Sequence, residues 1–149
     1  MTLVRYTFII AVALALFQCK STKPAADATA STASLLNTYW KLSEVNGDPL
    51  ETPAGAREVH IILSHDDQEN RLKGFAGCNN IGGGFTLDGQ KLTFSAFSTK
   101  MMCTPEQMKI EDFLLKSLST TDSYEIKGET LMLLQGDVAL AVFQSVYLK

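Results

Sequence analysis

A surplus of positive charge is missing from this chain: 13 Lys and Arg stand against 16 Asp and Glu, for a formal net charge of -3. Neutralising a phosphate backbone takes excess cations, so nucleic acid is excluded as an expected partner. Histidine and cysteine are scarce, with two and three residues. No CxxC or HExxH occurs, so the ligands of a zinc site cannot be assembled from adjacent positions. His65-Asp66-Asp67 with Glu69 lacks the glycine and spacing of a calcium loop and reads as a solvated hairpin tip. No GxSxG elbow is present to expose a nucleophilic serine. We therefore expect no metal, no cofactor and no catalytic residue, and the chain is not expected to be an enzyme. Beyond residue 17 no apolar run is long enough to cross a bilayer, and no repeat of fixed period occurs.

The first eighteen residues do carry an apolar run. One cation, Arg5, precedes twelve uncharged residues from Tyr6 to Phe17. At the helical rise per residue this run reaches about 18 Å, against about 30 Å for a hydrocarbon core, so it reads as an export signal. Cys19 follows, and then the small polar tract KSTKPAADATASTAS. An apolar run ending at a cysteine resembles a bacterial lipoprotein signal, with Leu16 three places before Cys19, although Phe17 and Gln18 stand where small residues are preferred. Cys19 is expected to be lipidated and to anchor the chain to a membrane; plain secretion and an uncleaved anchor are the alternatives. Lys20-Ser21 lacks the aspartate that retains some lipoproteins at the inner membrane, so an outer-membrane lipoprotein of the bacterial envelope is expected.

The organisation follows: a signal peptide over 1–18, the lipidated cysteine and a flexible tether over 19–35, and one domain over 36–149. The tether is almost wholly Lys, Ser, Thr, Ala, Pro and Asp, with too little apolar surface to offset the entropy of ordering it. With Cys19 set aside, Cys78 and Cys103 form an even pair in a chain expected outside the cytosol, where disulfides persist. A bridge is expected; two buried free thiols are the alternative.

Within the domain, alternation and turn residues predict short strands. TYWKLSEVNG (38–47), EVHIILS (58–64) and RLKGFAG (71–77) are three, the last two pairing as a hairpin across HDDQEN. FTLDGQKLTFS (85–95) carries Asp88-Gly89 between two alternating runs, a hairpin turn with positive φ at both positions. TPEQMKIEDFLLKSLST breaks the rhythm. Thr104 can cap, Pro105 suits the first helical position and Gln107 completes a capping box. Ile110, Phe113, Leu114 and Leu118 share one helical face, with Lys109, Glu111, Asp112 and Lys116 largely elsewhere. SYEIK, TLMLL and VALAVFQSVYL follow as strands. The expected fold is α+β and mostly antiparallel: about eight strands in a curved sheet or partly open barrel packed on one helix.

GFAGCNNIGGGF, residues 74–85, concentrates five glycines. A P-loop needs Lys and Ser/Thr opening a helix after its glycines, and a dinucleotide fingerprint needs strand, GxGxxG and helix. Here the order is strand, loop, strand. Gly77 and Gly82 to Gly84 are expected to form a tight positive-φ corner, with Asn79 and Asn80 hydrogen-bonding the backbone around it.

GCNNIGGGF, followed by DGQKLTFS and then STKMMC, resembles the META-domain family, of the heat-shock lipoprotein (HslJ-like) type. Trp40, Leu42, Glu111-Asp112-Phe113, Tyr124-Ile126-Gly128-Leu131 and Phe143 fit the same pattern, from about Leu36 to Tyr147. The resemblance implies a curved β-sheet or cracked barrel with a helix, found on envelope lipoproteins and linked to stress response, antibiotic tolerance or secretion. It marks Gly77, Cys78, Asn79, Gly82, Thr99, Met102 and Cys103 as a structural motif. Its implied role is accessory, with an unidentified envelope protein as partner. The alternative is an apolar ligand or lipid carried inside the barrel, as in secretion pilots, lined by Phe75, Phe85, Phe94, Leu133 and Phe143.

Overall fold

The computed structural model describes residues 32–147. The expectations for the signal peptide and for Cys19 fall outside the described residues. Nine strands and one helix follow in order: β1 (Tyr39–Val45), β2 (Asp48–Pro49), β3 (His60–Asp66), β4 (Glu69–Phe75), β5 (Asn80–Asp88), β6 (Lys91–Ser98), α1 (Pro105–Thr120), β7 (Ser123–Lys127), β8 (Thr130–Gln135) and β9 (Val138–Val146). All pairings are antiparallel. The sheet runs β2-β1-β3-β4-β5-β6-β7-β8-β9, and a further β1–β9 pairing turns it into a ring.

The ring is unevenly sewn. β6 and β7 share one pair, Lys91 opposite Ser123, where β5 and β6 share eight. α1 packs against the rest of β6 at this opening. Its start is set as the sequence predicts: the Thr104 hydroxyl accepts from the Gln107 amide at 3.3 Å and the Gln107 side chain accepts from the Thr104 amide at 3.2 Å. Period-two alternation puts Trp40, Leu42, Ile61, Leu63, Leu72, Leu92, Leu131, Leu133 and Phe143 inside the ring, and Leu114 and Leu118 of α1 join them, all fully buried. Removing each such side chain from water is worth about 2 kcal/mol before entropy is counted.

Four details differ from expectation. The folded unit reaches into the expected tether: Ala33 and Leu35 are core residues, Ala33 donates its amide to Gly128 O, and the Trp40 indole N–H donates to Leu35 O at 3.0 Å. The indole needs that carbonyl because Trp40 is fully buried. The β3–β4 loop is Asp67-Gln68 alone, both at positive φ, so His65 and Asn70 are paired strand residues. In the β5–β6 hairpin Asp88 pairs with Lys91, leaving Gly89-Gln90 as the loop, and only Gly89 takes a positive φ. Gly82 to Gly84 lie within β5 and form no corner. What requires glycine there, at Gly83, is a φ of +147° together with close approach across the sheet: a Cβ on it would overlap the Ser95 carbonyl. The two-residue β2 accounts for the ninth strand.

Candidate functional site

The motif residues converge on the corner between β4 and β5. Ala76 donates its amide to Asn79 O at 2.9 Å, closing a turn in which Gly77 takes φ +104°. A Cβ at Gly77 would lie 3.3 Å from Gln107 O and from Ile110 Cγ2, so glycine serves both the backbone angle and the approach of α1. Cys78 and Cys103 are disulfide-bonded with Cα atoms 5.8 Å apart, which ties the corner to the residue preceding the Thr104 cap.

Beneath the bridge, Asn79 is 4% exposed and every polar atom of its side chain is used. Oδ1 accepts from the Met101 amide at 2.7 Å and the Thr99 hydroxyl at 3.0 Å. Nδ2 donates to Met101 O at 3.1 Å and to Glu111 Oε2 at 3.0 Å. The carboxamide thus pairs with both main-chain groups of Met101, as a neighbouring strand would. The Asn79 amide donates to Glu111 Oε2 at 2.8 Å, so a carboxylate of 8% exposure is held by charge-assisted bonds. Residues 79, 99–101, 103 and 111 become one knot.

Of the residues marked in the sequence, Gly77, Cys78, Asn79, Thr99 and Cys103 are brought together. Gly82 stands apart in β5, under Phe97, whose Cζ would be 3.1 Å from a Cβ there. Met102 departs from the structural role expected of it, since its side chain is 92% exposed. Glu111, expected largely off the apolar face of α1, is buried. A signal existed: Glu111, Leu114 and Leu118 are spaced three and four apart, so they share a face.

A cleft of about 300 Å³ adjoins the knot, lined in part by Thr99, Lys100, Met108, Glu111 and Asp112. The knot offers this cleft no free thiol and no uncommitted Asn79 atom. The other titratable cluster lies on the outer face of β1 and β3. There the His60 ring stacks on Tyr39, centroids 4.3 Å apart, and Arg57 sits 4.2 Å over the Phe75 ring. Burial pushes the His60 imidazole below its ordinary value, and burial followed by the Glu58 charge pushes Tyr39 up. His60 Nδ1 donates to the Glu58 main-chain carbonyl at 2.9 Å, while the Glu58 carboxylate pairs with Lys41 at 2.7 Å. The His60 ring is thus held by a main-chain carbonyl and not by a carboxylate. His65 Nδ1 meets Asn70 Oδ1 at 2.8 Å on an exposed hairpin. Among the described residues no group of three His, Cys, Asp or Glu side chains is placed to hold a metal.

The proposed lining residues divide. Phe85, Leu133 and Phe143 are core side chains and Phe94 packs against them, whereas Phe75 lies outside the core under Arg57.

Comparison with known proteins places this geometry. The family described as META domain matches residues 33–147. A solved structure, an NMR structure of a protein from Burkholderia xenovorans, is similar at a TM-score of 0.58 and 26% identity, over 75% of this chain and 83% of that one. No curated protein matches.

Proposed function

We propose, from the premise that the chain belongs to the META-domain family, that it is a non-enzymatic accessory lipoprotein of the bacterial envelope. Cys19 anchors it at the outer membrane, the following tract gives it reach, and the domain presents a surface to another envelope protein under envelope stress or antibiotic challenge. One observation carries this reading: the motif's polar side chains are spent on one another. Asn79 and Glu111 satisfy each other, Cys78 is bound to Cys103, and two apolar side chains, Met102 next to Cys103 and Phe97 over Gly82, face outward. Buried, saturated networks hold shape, whereas catalysis needs groups free to change partners. A lipid-carrying interior is less favoured, because Phe85, Leu133 and Phe143 fill the centre with their own contacts.

The test is photo-crosslinking in intact cells from Phe97 and Met102, in the wild-type background and with Cys19→Ser. A specific crosslinked protein that weakens on loss of the anchor is the expected result. No crosslink, together with a deletion strain that grows like its parent under envelope stress, would refute the reading.

A further inference from the structure

The described residues hold two classes of sulfur. Cys78 and Cys103 are already oxidised to a disulfide. The thioethers of Met101, Met102, Met108 and Met132 remain. Their exposure is graded: Met102 is 92% exposed, Met101 67% and Met108 42%, while Met132 lies half-buried in β8. Thiolates ordinarily react with peroxides in preference to thioethers, and here the bridge removes that competitor.

The backbone at 101–103 is pinned from inside. Asn79 takes the Met101 amide at 2.7 Å and its carbonyl at 3.1 Å, and Cys103 is tied to Cys78. The segment cannot roll inward to shelter its side chains without breaking the knot. Nor does its stability depend on them, because the contacts that hold it are made by main-chain atoms, the carboxamide and the bridge. A thioether that lies outside the apolar core can become a polar sulfoxide without costing the fold that core.

We infer that Met102 and Met101 form an oxidant trap: a surface pair that accepts oxygen from peroxide-class donors and spares the remaining methionines. In the step, a sulfide lone pair attacks one peroxide oxygen, the S–O bond forms as the O–O bond breaks, and the leaving hydroxide takes up the transferred proton as water. Sulfur loses two electrons and the peroxide gains them.

The experiment treats purified, disulfide-intact protein with limiting hydrogen peroxide and follows each methionine by peptide mass mapping. Met102 and Met101 are expected to oxidise first, about tenfold faster than Met132, with Met108 between them and the thermal unfolding midpoint unchanged. A Met101→Leu/Met102→Leu variant, with its fold checked by circular dichroism, should divert oxygen to Met108 and Met132 at the same dose. The inference fails if Met132 keeps pace with Met102 in the wild type, if the first oxygen additions lower the midpoint, or if the double variant leaves Met108 and Met132 no more oxidised than before.

Discussion

Asn79 and His60 are both buried polar side chains, and the domain buries them by opposite means. Asn79 is enclosed by hydrogen bonds to two segments, 99–101 and α1, with a carboxylate among its acceptors. His60 is buried with its ring stacked on Tyr39 and one hydrogen bond, to Glu58 O. The first arrangement leaves no polar atom to water and so resists any change of partner. The second leaves a titratable group whose charged form is disfavoured by burial. One region is locked by saturation, and the other responds to the medium.

The largest expected effect breaks the locked region. Asn79→Ala leaves the Met101 amide and carbonyl, the Thr99 hydroxyl and part of the Glu111 carboxylate without partners at once. At about 1 to 3 kcal/mol for each unsatisfied group, partly relieved by water, the loss of stability should be about 3 to 5 kcal/mol. Urea unfolding measures it. A Glu111→Ala/Asn79→Ala pair should cost less than the sum of the two single changes, since each already orphans the other. Strict additivity would mean that the two side chains do not act as a unit.

Removing the bridge comes next. A Cys78→Ala/Cys103→Ala variant opens a loop of 25 residues and should lose about 3 kcal/mol in the chain-entropy account. Because the carboxamide still clasps Met101, the folded corner should persist, with the Asn79 amide still protected from hydrogen exchange. Loss of that protection would show that the sulfur link, and not the carboxamide, positions the segment.

The responsive region predicts a pH dependence. Burial holds His60 below its ordinary 6.5, so the unfolded chain takes the proton first as pH falls. The contribution of His60 to stability is complete above about pH 6.5 and declines below it, levelling once the folded state also binds the proton. His60→Phe keeps a ring against Tyr39 and should remove the decline in this window. Asp122, held low by the Ser123 hydroxyl and the Gly136 amide, acts only at more acidic pH, where its stabilisation is lost. An unchanged slope between wild type and His60→Phe would assign the decline to other groups.

The difference between the regions also explains what was legible in the sequence. Local chemistry was: Thr104-Pro105-Gln107 announces a helix start because cap and box lie within four residues. Hairpins were, to within a residue or two, because alternation is local. The Cys78 and Cys103 pair was, because an even count in a chain expected outside the cytosol favours a bridge. Glu111 was only in part: its spacing puts it on the face of Leu114 and Leu118, but the group that makes its burial tolerable, Asn79, lies 32 residues away and outside the helix. Gly82 to Gly84 looked like a turn because glycine permits one; their place in a strand is decided by Ser95 and Phe97 across the ladder. Ala33 and Leu35 looked like linker because their neighbours are polar, and only Trp40 and Gly128 reveal their place.

The smallest expected effect sharpens the responsive side. Arg57 stacks over Phe75 at 4.2 Å and donates to Asn80 Oδ1 at 2.7 Å on an exposed surface. Arg57→Ala should therefore cost only about 0.5 to 1 kcal/mol, since both contacts compete with water. Its electrical effect is the more telling readout. The Arg57 charge helps to hold His60 low and Tyr39 from rising further, so its removal should move both values upward, His60 toward its ordinary range and Tyr39 away from it. NMR titration of the imidazole and ultraviolet titration of the phenol follow the two groups separately. A joint rise fits a charge acting through space on both rings. If the imidazole value stayed put while the phenol rose, burial alone would govern His60, and the Arg57 charge would act on the phenol only.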